Sequence, residues 1–175
     1  MVTREEPRPG LGGEAAHHAA YLRFLRATLL ERCAALPVSE QRRPHVPSGW
    51  TPLELVDHVA HVERRWVVWG FLAEPVADPW GDWWQGDTAT RWHVPEHRTL
   101  EDVAADLRAT AARTEELLAT TPLETRAGTG GRFGAETGEQ LPDLRWIVFH
   151  LLQEYARHVG HLDVAVEVAG GPTGE

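Results

Sequence analysis

The amino-acid sequence predicts an all-α protein, a four-helix bundle with long crossover connections. Three observations predict it. Four segments carry apolar residues at three- and four-residue steps, the signature of one buried helix face. A capping residue, a proline or a glycine pair bounds each segment. Long connections separate the segments, so simple up-down-up-down order is not implied. Helices of about 20 residues would give a bundle roughly 30 Å long.

The first helix is expected from about Glu14 to Leu36, with Leu22, Leu25, Leu29, Cys33 and Leu36 on one face and Pro37 ending it. The second is expected from about Pro52 to Leu72. Thr51-Pro-Leu-Glu54 is a capping box with proline at the first helical position. The third is expected from about Leu100 to Thr120, capped by Thr99, with the stripe Leu100, Val103, Leu107, Ala111, Thr114 and Leu118 before Pro122. The fourth is expected from about Pro142 to Ala169, ending at Gly170-Gly171. These elements make one domain over residues 14–169, with tails at 1–13 and 170–175.

Two connections stand out. Residues Ala73 to Arg98 hold Trp80, Trp83, Trp84 and Trp92 among Pro, Gly and Asp. A loop this long is usually functional, and tryptophans favour burial, so it is expected to pack over one end of the bundle. The connection Thr121 to Leu141 holds Gly128-Thr-Gly-Gly-Arg-Phe-Gly134, a short hairpin or a plain loop. It lacks the preceding strand, the Gly-Lys-Ser and the immediate helix that a phosphate cradle needs.

Composition narrows the function. Of the 175 residues, 42% are hydrophobic and 25% charged, which is globular usage. No stretch approaches the roughly 18 to 20 apolar residues of a membrane span, and no apolar signal core begins the chain; a cytoplasmic protein is expected. The net charge of −9 repels phosphate backbones and disfavours a nucleic-acid partner. All 17 basic residues are arginine, which excludes lysine Schiff-base chemistry and a Walker lysine. A lone cysteine, Cys33, allows no internal disulfide and no cysteine-based zinc site, and its place on an apolar stripe marks it as core. The 10 histidines and 8 tryptophans are the reason to expect a site.

On the second helix, Leu55, Val59, Val62, Trp66 and Trp69 define one face. His58 sits at its edge, while His61 falls on the polar side beside Asp57, Arg64 and Arg65. On the fourth, Leu144, Val148, Leu151, Tyr155, Val159, Leu162 and Val166 define the core face. His158 lies inside its margin, Glu154 just outside it, and His150 and His161 farther out. Glu154 and His158 at i, i+4 can aim at one point. With an imidazole from a neighbouring helix they would offer three ligands to a divalent metal and leave a position open. The alternative stays open at this point: an edge histidine is often merely hydrogen-bonded, and a Glu four residues before a His is often a solvated pair. There is no HExxH motif. His18 extends the first helix's stripe and could approach the same region, and His45, His93 and His97 lie in loops and suit surface roles.

Two longer motifs carry a resemblance. Gly49-Trp-Thr-Pro-Leu-Glu-Leu-Val-Asp-His58-Val-Ala-His-Val-Glu-Arg-Arg-Trp66 resembles the second-helix signature of the DinB/YfiT-like superfamily. Leu144-Arg-Trp-Ile-Val-Phe-His-Leu-Leu-Gln-Glu154-Tyr-Ala-Arg-His158-Val-Gly-His-Leu-Asp163 resembles its last-helix signature. The resemblance implies a crossover four-helix bundle, a homodimer, and a divalent metal on three side chains. Many members use three histidines. Glu154 departs from that pattern and is similar to the branch of mycothiol-dependent maleylpyruvate isomerase, where two His and one Glu hold zinc. His161 stands where Gln is common. The set carried over is His58, Glu154 and His158, with zinc first and nickel, iron or manganese as alternatives.

The resemblance further implies a low-molecular-weight thiol such as mycothiol as cosubstrate, and a thiol-dependent transferase or isomerase acting on a small electrophile. The Trp-rich loop would wall the pocket, and Arg157 or Arg65 would meet an anionic group, with nothing to select between them. Two other readings use the same residues: a metal-dependent hydrolase, and a non-catalytic bundle that binds a small ligand.

Overall fold

The computed structural model describes residues 5–76, 93–134 and 140–173. The helices are α1 (Glu14–Ala34), α2 (Val38–Gln41), α3 (Pro52–Arg64), α4 (Leu100–Thr120) and α5 (Leu144–Val168), and a π-helical segment (Arg65–Phe71) prolongs α3. No strand forms among the described residues; a single antiparallel bridge joins Arg126 and Asp143. The all-α bundle is as the sequence predicts.

The ends follow local chemistry. Thr51 and Glu54 form the expected reciprocal capping box, and Thr99 forms one with Asp102. The last long helix begins at Leu144 and not at Pro142, and Asp143 caps it by accepting the Trp146 N–H at 2.8 Å. At its other end Gly170 takes φ +79°, and the Gly171 N–H reaches the Val166 carbonyl at 2.8 Å, which closes a Schellman turn. The first helix stops at Ala34, short of Leu36, and the four-residue α2 after Pro37 is an element the sequence reading lacked.

Packing sets a ring in the order α1, α5, α3, α4. Chain neighbours α4 and α5 therefore lie across a diagonal, which is what the long connections allow. The core holds Leu22, Leu29, Cys33, Leu55, Val59, Val62, Leu107, Leu144, Ile147, Val148, Leu151, Tyr155 and Leu162. A polar knot crosses it. Arg26 of α1 donates to both carboxylate oxygens of Glu63 on α3, at 3.0 and 2.5 Å. Tyr155 of α5 and Thr114 of α4 donate their hydroxyls to the same carboxylate. Glu63 and Tyr155 are fully buried, so one carboxylate ties all four long helices together.

The expectation of a regular helix to Leu72 is corrected. From Arg65 the turn widens, and Leu72 N–H bonds the Val67 carbonyl five residues back. Tertiary contacts meet the carbonyls of this segment. The glycine-rich connection docks here as a plain loop, with Gly128 N–H on the Phe71 carbonyl at 2.8 Å and Arg132 N–H on the Trp69 carbonyl at 2.9 Å. A Cβ at Gly131 would stand 2.1 Å from the Trp69 oxygen, so only glycine admits this approach.

Candidate metal centre

Helices α3 and α5 pack side by side and bring His58, Glu154 and His158 together. One ligand atom from each lies within 4.8 Å of the others. His158 is buried, and His58 and Glu154 are half-buried. The His158 Nε2 stands 3.2 Å from Glu154 Oε2, and the two imidazole rings meet edge to face with centroids 4.9 Å apart. The hydrogen bond from His158 is the main reason that the Glu154 carboxyl lies below its ordinary range, with burial opposing it.

Neighbouring groups frame the cluster. His150 Nε2 lies 3.6 Å from Glu154 Oε1, one turn earlier on α5. His161 Nδ1 lies 3.4 Å from His158 Nδ1, one turn later. His61 turns away, towards Asp57 at 3.5 Å. Burial pushes the Asp57 carboxyl up to about 6, tempered by Arg98 at 3.3 Å. His18 stays outside the cluster, its ring on Phe149 at 5.1 Å. His93 and His97 are exposed, whereas the His45 side chain is tucked against Glu40. Arg65 is buried and Arg157 exposed, and neither belongs to the three-residue cluster. The expected wall of Trp80, Trp83, Trp84 and Trp92 lies outside the described residues.

The sequence reading missed a second set of residues. Trp66, on the π segment, meets the His150 ring at 4.3 Å and the Trp146 ring at 5.4 Å. The Arg132 guanidinium covers Trp66 at 4.1 Å from its centroid. Trp146 and His150 share i, i+4 spacing, which was the available signal, but both lie off the apolar face that the wheel selects.

The donor set has two imidazole nitrogens and one carboxylate oxygen, gathered from two rigid helices. It fits a borderline divalent ion of the zinc type, and its spread lies within what side-chain rotation closes onto an ion with bonds of about 2 Å.

Fold and cluster together define an all-α bundle with a three-residue candidate metal centre between two of its helices. The family model for MST, mycothiol-S-transferase, matches residues 18–171. The chain belongs to that family, within the DinB/YfiT-like superfamily. No curated protein matches it. None of the described helices is long and apolar enough to cross a membrane.

Proposed function

We propose that this protein transfers a low-molecular-weight thiol, mycothiol in the first instance, to a small electrophile at a divalent metal, with zinc first, held by His58, Glu154 and His158. The observation that carries the reading is the convergence of those three ligand atoms within 4.8 Å, in a chain of the mycothiol-S-transferase family.

When bound, the metal would lower the pKa of a coordinated thiol from about 8.5 and so supply thiolate at neutral pH. The chain's own residues do the rest. Glu154 and His158 fix each other through their hydrogen bond, so two of the three ligands are oriented before anything binds. The buried Glu63–Tyr155 contact holds α3 against α5 beside Glu154. In the transfer, a carbon–sulfur bond forms as the leaving group departs with its bonding pair, and the thiol proton passes to solvent. Cys33 takes no part: it is fully buried, and burial pushes its thiol up to about 12.

The test is metal content by plasma mass spectrometry for wild type, His58→Ala, Glu154→Ala and His158→Ala, each checked for folding by circular dichroism. Roughly one ion per chain, lost in all three variants, is the expected result. Mycothiol consumption with an electrophile should fall with it. A folded wild type that takes up neither zinc nor nickel sinks the reading.

A further inference from the structure

A groove of about 910 Å³ runs beside the cluster, lined in part by Trp66, Phe133, Trp146, Phe149, His150 and Gln153. That volume is in the range of small-molecule sites. One of its lining residues, His150, stands 3.6 Å from the Glu154 carboxylate. The groove thus adjoins the proposed metal ligands through His150, although none of the three lines it.

Its walls have a definite shape. The Trp146 and His150 rings lie parallel, 4° apart in tilt with centroids at 5.5 Å, in an offset stack that leaves Trp146 as its outer ring. Trp66 stands at 54° to Trp146 and 53° to His150 and forms a tilted wall. Phe133, 6.2 Å from Trp66, extends that wall. Arg132 stacked on Trp66 holds that ring in place. On the open side, Trp146 and Phe149 remain 51% and 55% exposed. Large aromatic side chains left in water beside a cleft mark a binding surface rather than a core.

From this we infer that the groove selects planar, conjugated ring systems, so that the electrophile is an aryl or similarly flat molecule whose reactive carbon is presented past His150. The word electrophile rests on the thiol-transfer reading; the shape selection does not. The exposed Trp146 ring offers offset stacking to a flat π-system, and the tilted Trp66 ring offers edge contacts. A puckered saturated ring of the same carbon skeleton gains area but cannot stack. Trp146 is the principal specificity residue, because it lines the groove, caps the stack on His150 and keeps half of its surface open.

The test compares 2-naphthamide with decahydronaphthalene-2-carboxamide, which share a skeleton and differ in planarity. Binding is followed by isothermal titration calorimetry on the purified full-length protein, with no thiol present. Burial of area alone favours the saturated compound. The expected result is a preference for 2-naphthamide of roughly tenfold, the scale of one good aromatic contact per ring. Trp146→Leu should bring the ratio close to unity, and Trp146→Phe should restore most of it. Trp146 is exposed, so both variants should fold, as thermal melting checks. A saturated compound that binds as well or better, or a ratio unmoved by Trp146→Leu, overturns the inference.

A second arm uses mycothiol with the N-(2-naphthyl) and N-(decahydro-2-naphthyl) iodoacetamides. Sulfur displaces iodide, which leaves with its bonding pair, and the thiol proton goes to solvent. The aryl preference should appear mainly in KM. Thiol turnover without shape preference would sink this inference and leave the transfer reading. Shape preference in binding without any thiol turnover would sink the transfer reading and leave the selective groove.

Discussion

Replacing Glu63 by glutamine tests the polar knot at the centre of the bundle. The glutamate accepts two hydrogen bonds from Arg26, one from Tyr155 and one from Thr114, and is fully buried. Removing one charge leaves Arg26, itself 6% exposed, with Glu115 at 3.3 Å as its remaining carboxylate among the described contacts. Breaking a buried ion pair by deleting one partner costs about 3–5 kcal/mol. Glutamine keeps one acceptor oxygen, so the lower end, about 3 kcal/mol, is expected. For a chain of this length that is a fall in Tm of roughly 6–12 °C. Thermal melts followed by circular dichroism at neutral pH measure it. A loss below about 1 kcal/mol would refute the argument, because it would mean that water reaches Arg26 once the charge is gone. The complementary variant removes every member at once: Arg26→Met, Glu63→Leu, Tyr155→Phe and Thr114→Val. It leaves no polar group stranded, so stability should stay close to wild type or rise. Metal affinity should nevertheless fall by about tenfold, because the apolar set no longer fixes α3 against α5 beside Glu154. Competition with a chelator reads that affinity independently of Tm.

Other predictions follow from single features. Cys33 should resist alkylation by iodoacetamide in the native protein and react fully in denaturant, as mass spectrometry would show; rapid native labelling would contradict its burial. Gly131→Ala should destabilise by about 1–3 kcal/mol, because its Cβ would meet the Trp69 carbonyl oxygen at 2.1 Å and the glycine loop must back away from the π segment. Burial holds the His18 imidazole below its ordinary value of 6.5, so folding favours the neutral ring. Its contribution is present above the unfolded value of 6.5 and is lost as pH falls through the lower folded value. His18→Phe should therefore flatten the acid limb of a stability–pH curve from urea melts, and an unchanged limb would count against it. His61→Ala should leave metal content at the wild-type level, since His61 faces Asp57.

What the sequence could disclose was set by how local each cause is. The long helices were legible because a 3.6-residue stripe and its caps are properties of neighbouring residues; α4 runs from Leu100 to Thr120 as the stripe and Thr99 require. The ligand set was legible in part for the same reason. Glu154 and His158 share a helix, so i, i+4 spacing places them together, whereas His58 needed either the resemblance or the packing of α3 on α5 to join them. The π segment was not legible. Its widened turn accompanies a backbone contact from Gly128 and Arg132, some sixty residues along the chain, and the Trp66 to Trp69 step reads as an ordinary helix face. Glu63 was hidden too. An acidic residue between His61 and Arg64 belongs by pattern to a solvated face, and only the arrival of Arg26, Tyr155 and Thr114 from three other helices makes it a core residue. The same holds for Trp146 and His150, which lie off the apolar face of α5 and find Trp66 of the π segment only in the folded packing. The residues that distinguish the groove are thus the ones whose role is set by contacts between elements, and no stripe along a single helix announces such contacts.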